Sequence, residues 1–138
     1  MRPATRDALA ARLARYDRLV EVGIGDRPDV AGALAAAGKQ VTATDVRPVD
    51  VPAGVRFVRD DVVAAAERAD PGPVYRADAV YALNLPPELH APTRAVARAT
   101  GAACCFTTLG GDPPTVPVRS ETLDEDGTTL YVARTDGP

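Results

Sequence analysis

The sequence contains no tryptophan, only one lysine (Lys39), one histidine (His90) and two cysteines, Cys104 and Cys105. With two phenylalanines and four tyrosines, it is poorly supplied with the aromatic platforms on which single-stranded nucleic acids stack. It also lacks a positive balance: the formal net charge is -3 over 138 residues, with a pI of about 5.1. The arginines are spread along the chain among aspartates rather than gathered in one basic run, so nucleic acid is not the expected partner. No apolar run approaches the roughly 18 residues of a membrane span. The N-terminal stretch MRPATRDALAARLARY is charged throughout, which argues against a signal peptide and for a cytoplasmic protein. Two adjacent cysteines in a strand point to opposite faces and make a poor disulfide, so both read as small core residues. With a single histidine there is no zinc pattern.

What is present is an ordinary globular composition, 46% hydrophobic and 25% charged, in a length that suits one domain over residues 1–138. The preference for Arg over Lys and for Asp over Glu suggests a GC-rich, salt-adapted source. Leu9, Leu13 and Tyr16 recur on one face of a helix predicted over 4–16, a stripe for packing on a sheet or for a protein partner or second copy. Strands are predicted at 18–23, 40–46, 55–60, 78–85 and 102–109. Helices are predicted from Pro28 to 37, over 61–69 with Asp60 or Asp61 as cap, and over 92–100 ending at Gly101. Finally, TVPVRSETL and TTLYVAR flank DEDG, an antiparallel hairpin, and the last few residues are expected to be loose. Strand and helix alternation gives an α/β fold with a mainly parallel sheet between two helical layers, Rossmann-like, ending in that hairpin.

Chemistry concentrates in VEVGIGDRPDV, residues 20–30. Gly23 and Gly25 permit a tight strand-to-helix turn with close backbone approach to a ligand, and the helix start offers free N–H groups. Asp45 ends the second strand, 20 residues after Gly25, where a carboxylate can accept both hydroxyls of a ribose. Pro28 stands where a dinucleotide loop wants a third glycine, which argues against a nicotinamide-dependent oxidoreductase.

The series VEVGIG, TATDV, FVRDDV and DAVYALNLPPEL, closed by a hairpin, resembles the class I S-adenosylmethionine-dependent methyltransferases over roughly residues 18–134. The resemblance implies that Glu21 is the acidic residue before the glycines and that Gly23 and Gly25 are the first two of these. It implies that Asp45 holds the ribose and that Asp61, or else Asp60, stands near the adenine amino group. Asn84 then lies where the fourth strand meets the methyl donor. More narrowly, EVGIGDRPDVAGAL, TATDVRP and PPELH in so short a chain are similar to a small archaeal family with a methyltransferase-like fold.

Three departures accompany the resemblance. Arg27 replaces the third glycine, where it either fills the methionine space or offers a fork of donors to a carboxylate or phosphate. RPVDVPAG is too short and broken for the usual helix between strands two and three. NLPPEL matches the Asn-Pro-Pro-aromatic motif of amino-group methyltransferases only in part, with Glu88 in the aromatic position. Asn84, Glu88 and His90 are the candidates to orient or deprotonate an acceptor, and their plainer readings are a turn residue, an exposed helix acid and a surface loop residue. No catalytic residue is assigned. Two functions are carried forward: a minimal S-adenosylmethionine-dependent methyltransferase, or a non-catalytic module on that scaffold binding a nucleotide-type ligand or a protein.

Overall fold

The computed structural model describes residues 1–135; the tail expected to be loose falls largely outside them. The elements run α1 (Pro3–Leu13), β1 (Arg18–Val22), α2 (Asp29–Ala36), β2 (Gln40–Asp45), β3 (Val55–Arg59), α3 (Val62–Glu67), β4 (Ala79–Ala82), α4 (His90–Thr100), β5 (Ala103–Phe106), β6 (Val118–Thr122) and β7 (Thr129–Ala133). Every predicted helix and strand is present, shorter by one to a few residues at most ends. Pro3 sits in the first turn of α1, where its missing N–H costs nothing. Gly101, at φ 74°, stops α4 in the left-handed conformation that glycine adopts without strain.

The strands form one sheet in the order β3-β2-β1-β4-β5-β7-β6. The first five are mutually parallel. The C-terminal hairpin folds back so that β7 lies antiparallel to β5 and β6 lies at the edge. The chain direction across the sheet reverses between β1 and β4. A crevice therefore opens at the carboxyl ends of these two strands.

Strand alternation sorts side chains between two cores. Leu19, Val41, Ala43, Val55 and Tyr81 face the α1 and α2 layer, where Leu9, Leu13, Val30 and Leu34 cover them. Tyr16 packs partly buried beside this cluster, so the N-terminal stripe is spent on the sheet. Val20, Val22, Val80 and Phe106 face α3 and α4. Burying each such Leu or Phe contributes roughly 1.5–3 kcal/mol. Cys105 lies in the first core and Cys104 in the second, both free, and burial pushes the Cys104 thiol up to about 12.

No helix joins β2 to β3 among the described residues. Instead the 46–54 segment lays Val49 and Val51 against the first core, with Pro52 on Gly32. No helix among the described residues is long and apolar enough to cross a membrane.

Candidate nucleotide-binding site

A cavity of ≈ 420 Å³ opens at the crevice, bounded by the β1–α2 loop, the ends of β2 and β3, and the 83–89 segment after β4. That volume suits a small organic ligand. Gly23 and Ile24 donate their N–H groups to the Thr44 carbonyl at 2.9 and 3.1 Å, tying the loop to β2. Gly23 and Gly25 have φ of +69° and +55°, and a Cβ on either would meet no atom within 4 Å. The backbone is turned so that open space lies beside it.

Asp45 is the joint of the site. One carboxylate oxygen accepts the Gly25 N–H at 2.9 Å and the other the Arg47 N–H at 3.1 Å. A carboxylate has about four acceptor positions, so two remain for hydroxyl donors. Arg27 and Arg47 are exposed and line the rim. Neither has an ion pair among the described residues. Arg27 leaves the cavity open.

Glu21 forms the floor at 1% exposure. Register places it beside Tyr81 on β4, whose hydroxyl donates to it at 2.6 Å. Burial raises the Glu21 carboxyl to about 8, against a smaller opposing effect of the Tyr81 hydrogen bond. Because the folded value lies above the ordinary one near 4.5, this carboxyl favours folding fully below that value. The contribution is lost as pH rises towards 8. Glu21→Gln mimics the neutral acid. Its stability relative to wild type is expected to rise by on the order of 1 kcal/mol per pH unit between pH 5.5 and 7.5. Urea unfolding at both pH values reads this, and a pH-independent difference would refute it.

The two aspartates after β3 separate cleanly. Asp60 lines the cavity, while its carboxylate accepts from Tyr75 Oη at 2.7 Å and Arg68 Nη2 at 3.0 Å. Burial works against its ionisation, but these hydrogen bonds outweigh it and hold the carboxyl below its usual range. Asp61 is exposed and caps α3 by accepting the Val63 N–H at 2.9 Å; it is not part of the cavity lining. Asn84 lines the opposite wall with Leu83 and Leu85. Its φ is 50°, a conformation asparagine tolerates better than most residues, and its N–H donates to Thr107 Oγ1 at 2.8 Å.

His90 is not a surface residue. It is fully buried, stacked on Phe106 at 4.6 Å between ring centroids. The Thr115 N–H donates to its Nδ1 at 3.1 Å, so Nε2 carries the proton given to the Leu85 carbonyl at 2.9 Å. The proline pair Pro86–Pro87 bends the chain into a short turn over Pro87–Leu89 that carries His90 inward. The imidazole thus locks the loop beside Asn84 and is withdrawn from acceptor chemistry. Glu88 stays exposed. No group of three metal-ligating side chains exists among the described residues.

A mainly parallel sheet with β7 inserted antiparallel beside β5, and a cavity over the β1–β4 switch, defines the methyltransferase-like Rossmann fold. Solved structures agree. The RNA methyltransferase from Salinibacter ruber in complex with S-adenosyl-L-homocysteine superposes with a TM-score of 0.62 at 20% identity, covering 100% of this chain and 95% of that one. Magnesium protoporphyrin IX methyltransferase from Synechocystis PCC 6803 with bound SAM gives 0.62 at 14% identity, covering 94% and 76%. The chain itself belongs to the uncharacterised protein family UPF0146, whose model matches residues 5–135. A UPF0146 protein of Halobacterium salinarum is 57% identical over 127 residues, 91% of this chain and 94% of that one. One from Archaeoglobus fulgidus is 41% identical over 95 residues, 69% and 70% of the two chains.

Proposed function

We propose that the chain is a single domain that binds S-adenosylmethionine and acts as a minimal methyltransferase. The observation that carries this is the ribose-ready carboxylate of Asp45, pinned beside Gly25 at the mouth of the cavity. The donor set fits the group. Asp26 and Asp45 beside Arg27 and Arg47 line the site, acceptors for hydroxyl and ammonium groups next to donors for a carboxylate, and Leu83, Leu85 and Leu89 supply an apolar wall. Asp45 would take the ribose hydroxyls, and Glu21 and the turn at Gly23 would face the methionine part. Asp60 and Val62 would border the base, and Asn84 would stand beside the reacting end. When bound, the cofactor supplies an electrophilic methyl group. The protein's task is then alignment and exclusion of water, which a rigid Asn84 loop held by Thr107 and His90 serves. Length is no objection, since the Salinibacter ruber chain is scarcely longer.

Arg27, free at the rim, is read as the fork that meets the methionine carboxylate. Calorimetric titration with S-adenosylmethionine and S-adenosylhomocysteine is expected to show micromolar binding by wild type. Arg27→Gly is expected to bind about tenfold more weakly, the loss of one charge-assisted hydrogen bond of about 1.5 kcal/mol. Silence from wild type at millimolar cofactor would overturn the proposal, and tighter binding by Arg27→Gly would mean that the arginine obstructs the site. The second reading, a binding module without transfer, draws on the helix-free connections at 46–54 and 107–117, which leave the site without an element to cover an acceptor. Transfer of labelled methyl to any extract component, lost with Asp45→Ala, eliminates it.

A further inference from the structure

The second cavity has no part in that reading. It measures ≈ 470 Å³ and lies against the α3 side of β1, β2 and β3. It exists because α3 is only six residues long and leaves the outer strands of this face without a helix. Strand register puts Val20, Thr42 and Arg56 in one row, and Arg18 beside Gln40 in the row two residues earlier. All these side chains share the open face. Its floor is apolar, with Val20, Val58 and Val74.

The rim is not apolar. Arg18, Arg56, Arg59, Arg68 and Arg76 line it, with Asp60 as the one acid. Arg68 is neutralised by Asp60 at 3.0 Å and Arg76 by Asp70 at 2.6 Å. Arg59 borders the cavity, but its place in β3 turns its side chain to the opposite face, where its Nε donates to the Val46 carbonyl at 2.8 Å. Arg18 and Arg56 have no side-chain partner among the described residues. Two uncompensated guanidinium groups, those of Arg18 and Arg56, thus face one ligand-sized cavity in a chain whose net charge is -3.

We propose that this cavity is a binding site for a compact ligand carrying linked phosphate groups. Guanidinium forks match phosphate oxygens two at a time, and two such forks on β1 and β3, facing each other across β2, suit linked phosphates better than a lone one. The volume is that of a small-molecule pocket. No aromatic ring lines it, which disfavours a nucleic-acid strand, whose bases need a stacking surface. Asp60 borders both cavities but is engaged by Tyr75 and Arg68, so the phosphate site stands apart from the ribose carboxylate.

Calorimetric titration of the full chain with inorganic tripolyphosphate, in buffer of an ionic strength at which it is folded, tests this. Binding is expected at submillimolar tripolyphosphate, at least tenfold weaker in the double variant Arg18→Gln/Arg56→Gln and unchanged in Asp45→Ala. Both arginines are exposed, and a circular dichroism melt confirms that the double variant folds. Absence of binding by wild type at millimolar tripolyphosphate, or binding undiminished in the double variant, would overturn the proposal. So would a short single-stranded RNA that binds more tightly than tripolyphosphate and is lost in the double variant, since the site would then serve a strand. Failure of S-adenosylmethionine to bind leaves this result untouched.

Discussion

Asp45→Ala is expected to reduce S-adenosylmethionine affinity by about 100-fold or more. Under the proposed function the carboxylate accepts two ribose hydroxyls. Each hydrogen bond to a charged acceptor is worth about 1.5 kcal/mol or more, so two amount to about 3 kcal/mol, a factor of roughly 100. The loss has a second component. The Asp45 oxygens hold the N–H groups of Gly25 and Arg47 at 2.9 and 3.1 Å, and alanine releases both loops. Asp45→Asn separates the two. It keeps one oxygen acceptor for the Gly25 N–H but offers a single neutral oxygen and an unwanted donor to the ribose. If ribose contact dominates, Asn is expected to be nearly as weak as Ala. If positioning of the loop dominates, Asn is expected to recover most of the affinity. Isothermal calorimetry of the three proteins reads the order, and Asp45→Ala binding within threefold of wild type would remove Asp45 from the site.

The parts of this arrangement that sequence made legible are those carried by local pattern. Val- and Thr-rich runs bounded by glycine, proline and aspartate marked the strands. The Gly23–Gly25 turn and the carboxylate of Asp45 could be paired because their spacing follows from one strand–helix–strand unit. The broken RPVDVPAG segment showed that a helix was missing, and it is. What stayed hidden depends on register and on distant chain segments meeting. Tyr81 stands opposite Glu21 only because β4 is laid beside β1, a crossover no local pattern reveals. His90 looked like a loop residue because the Pro86–Pro87 bend turning it onto Phe106 is tertiary in effect. Asp60 and Asp61 are adjacent and chemically alike. Asp60 turns to Tyr75 and the cavity while Asp61 caps α3. The arginines of the second cavity are scattered over positions 18 to 76, so an evenly mixed charge pattern concealed a basic rim.

The largest stability effect is expected at the far end of the sheet, where α1 meets the hairpin. Arg12 is only 6% exposed. Its Nε and Nη2 donate to the two Glu121 oxygens at 2.7 and 3.2 Å, and Arg119 also bonds Glu121. The remaining Arg12 nitrogen, Nη1, is buried without a hydrogen-bond partner among the described residues, and the guanidinium lies over the Tyr16 ring, 5.8 Å from its centroid. Glu121→Ala leaves a guanidinium that cannot shed its charge in a dry position, and is expected to cost about 3 kcal/mol. Replacing both partners, Arg12→Met with Glu121→Leu, removes the stranded charge and is expected to be more stable than Glu121→Ala alone, since apolar pairs commonly equal buried ion pairs. The hydrogen bond from Arg12 is the main reason the Glu121 carboxyl falls to about 2. With the folded value below the ordinary one near 4.5, its contribution is whole above that value and drains away as pH falls towards 2. The penalty of Glu121→Ala should therefore shrink by about 1 kcal/mol between pH 6 and pH 3.5. Urea midpoints at the two pH values decide the matter. A penalty under about 1 kcal/mol at pH 6 would place the pair with ordinary surface ion pairs. A penalty that ignores pH would mean that the lost packing of the Glu121 side chain, and not its charge, anchors α1 to the hairpin.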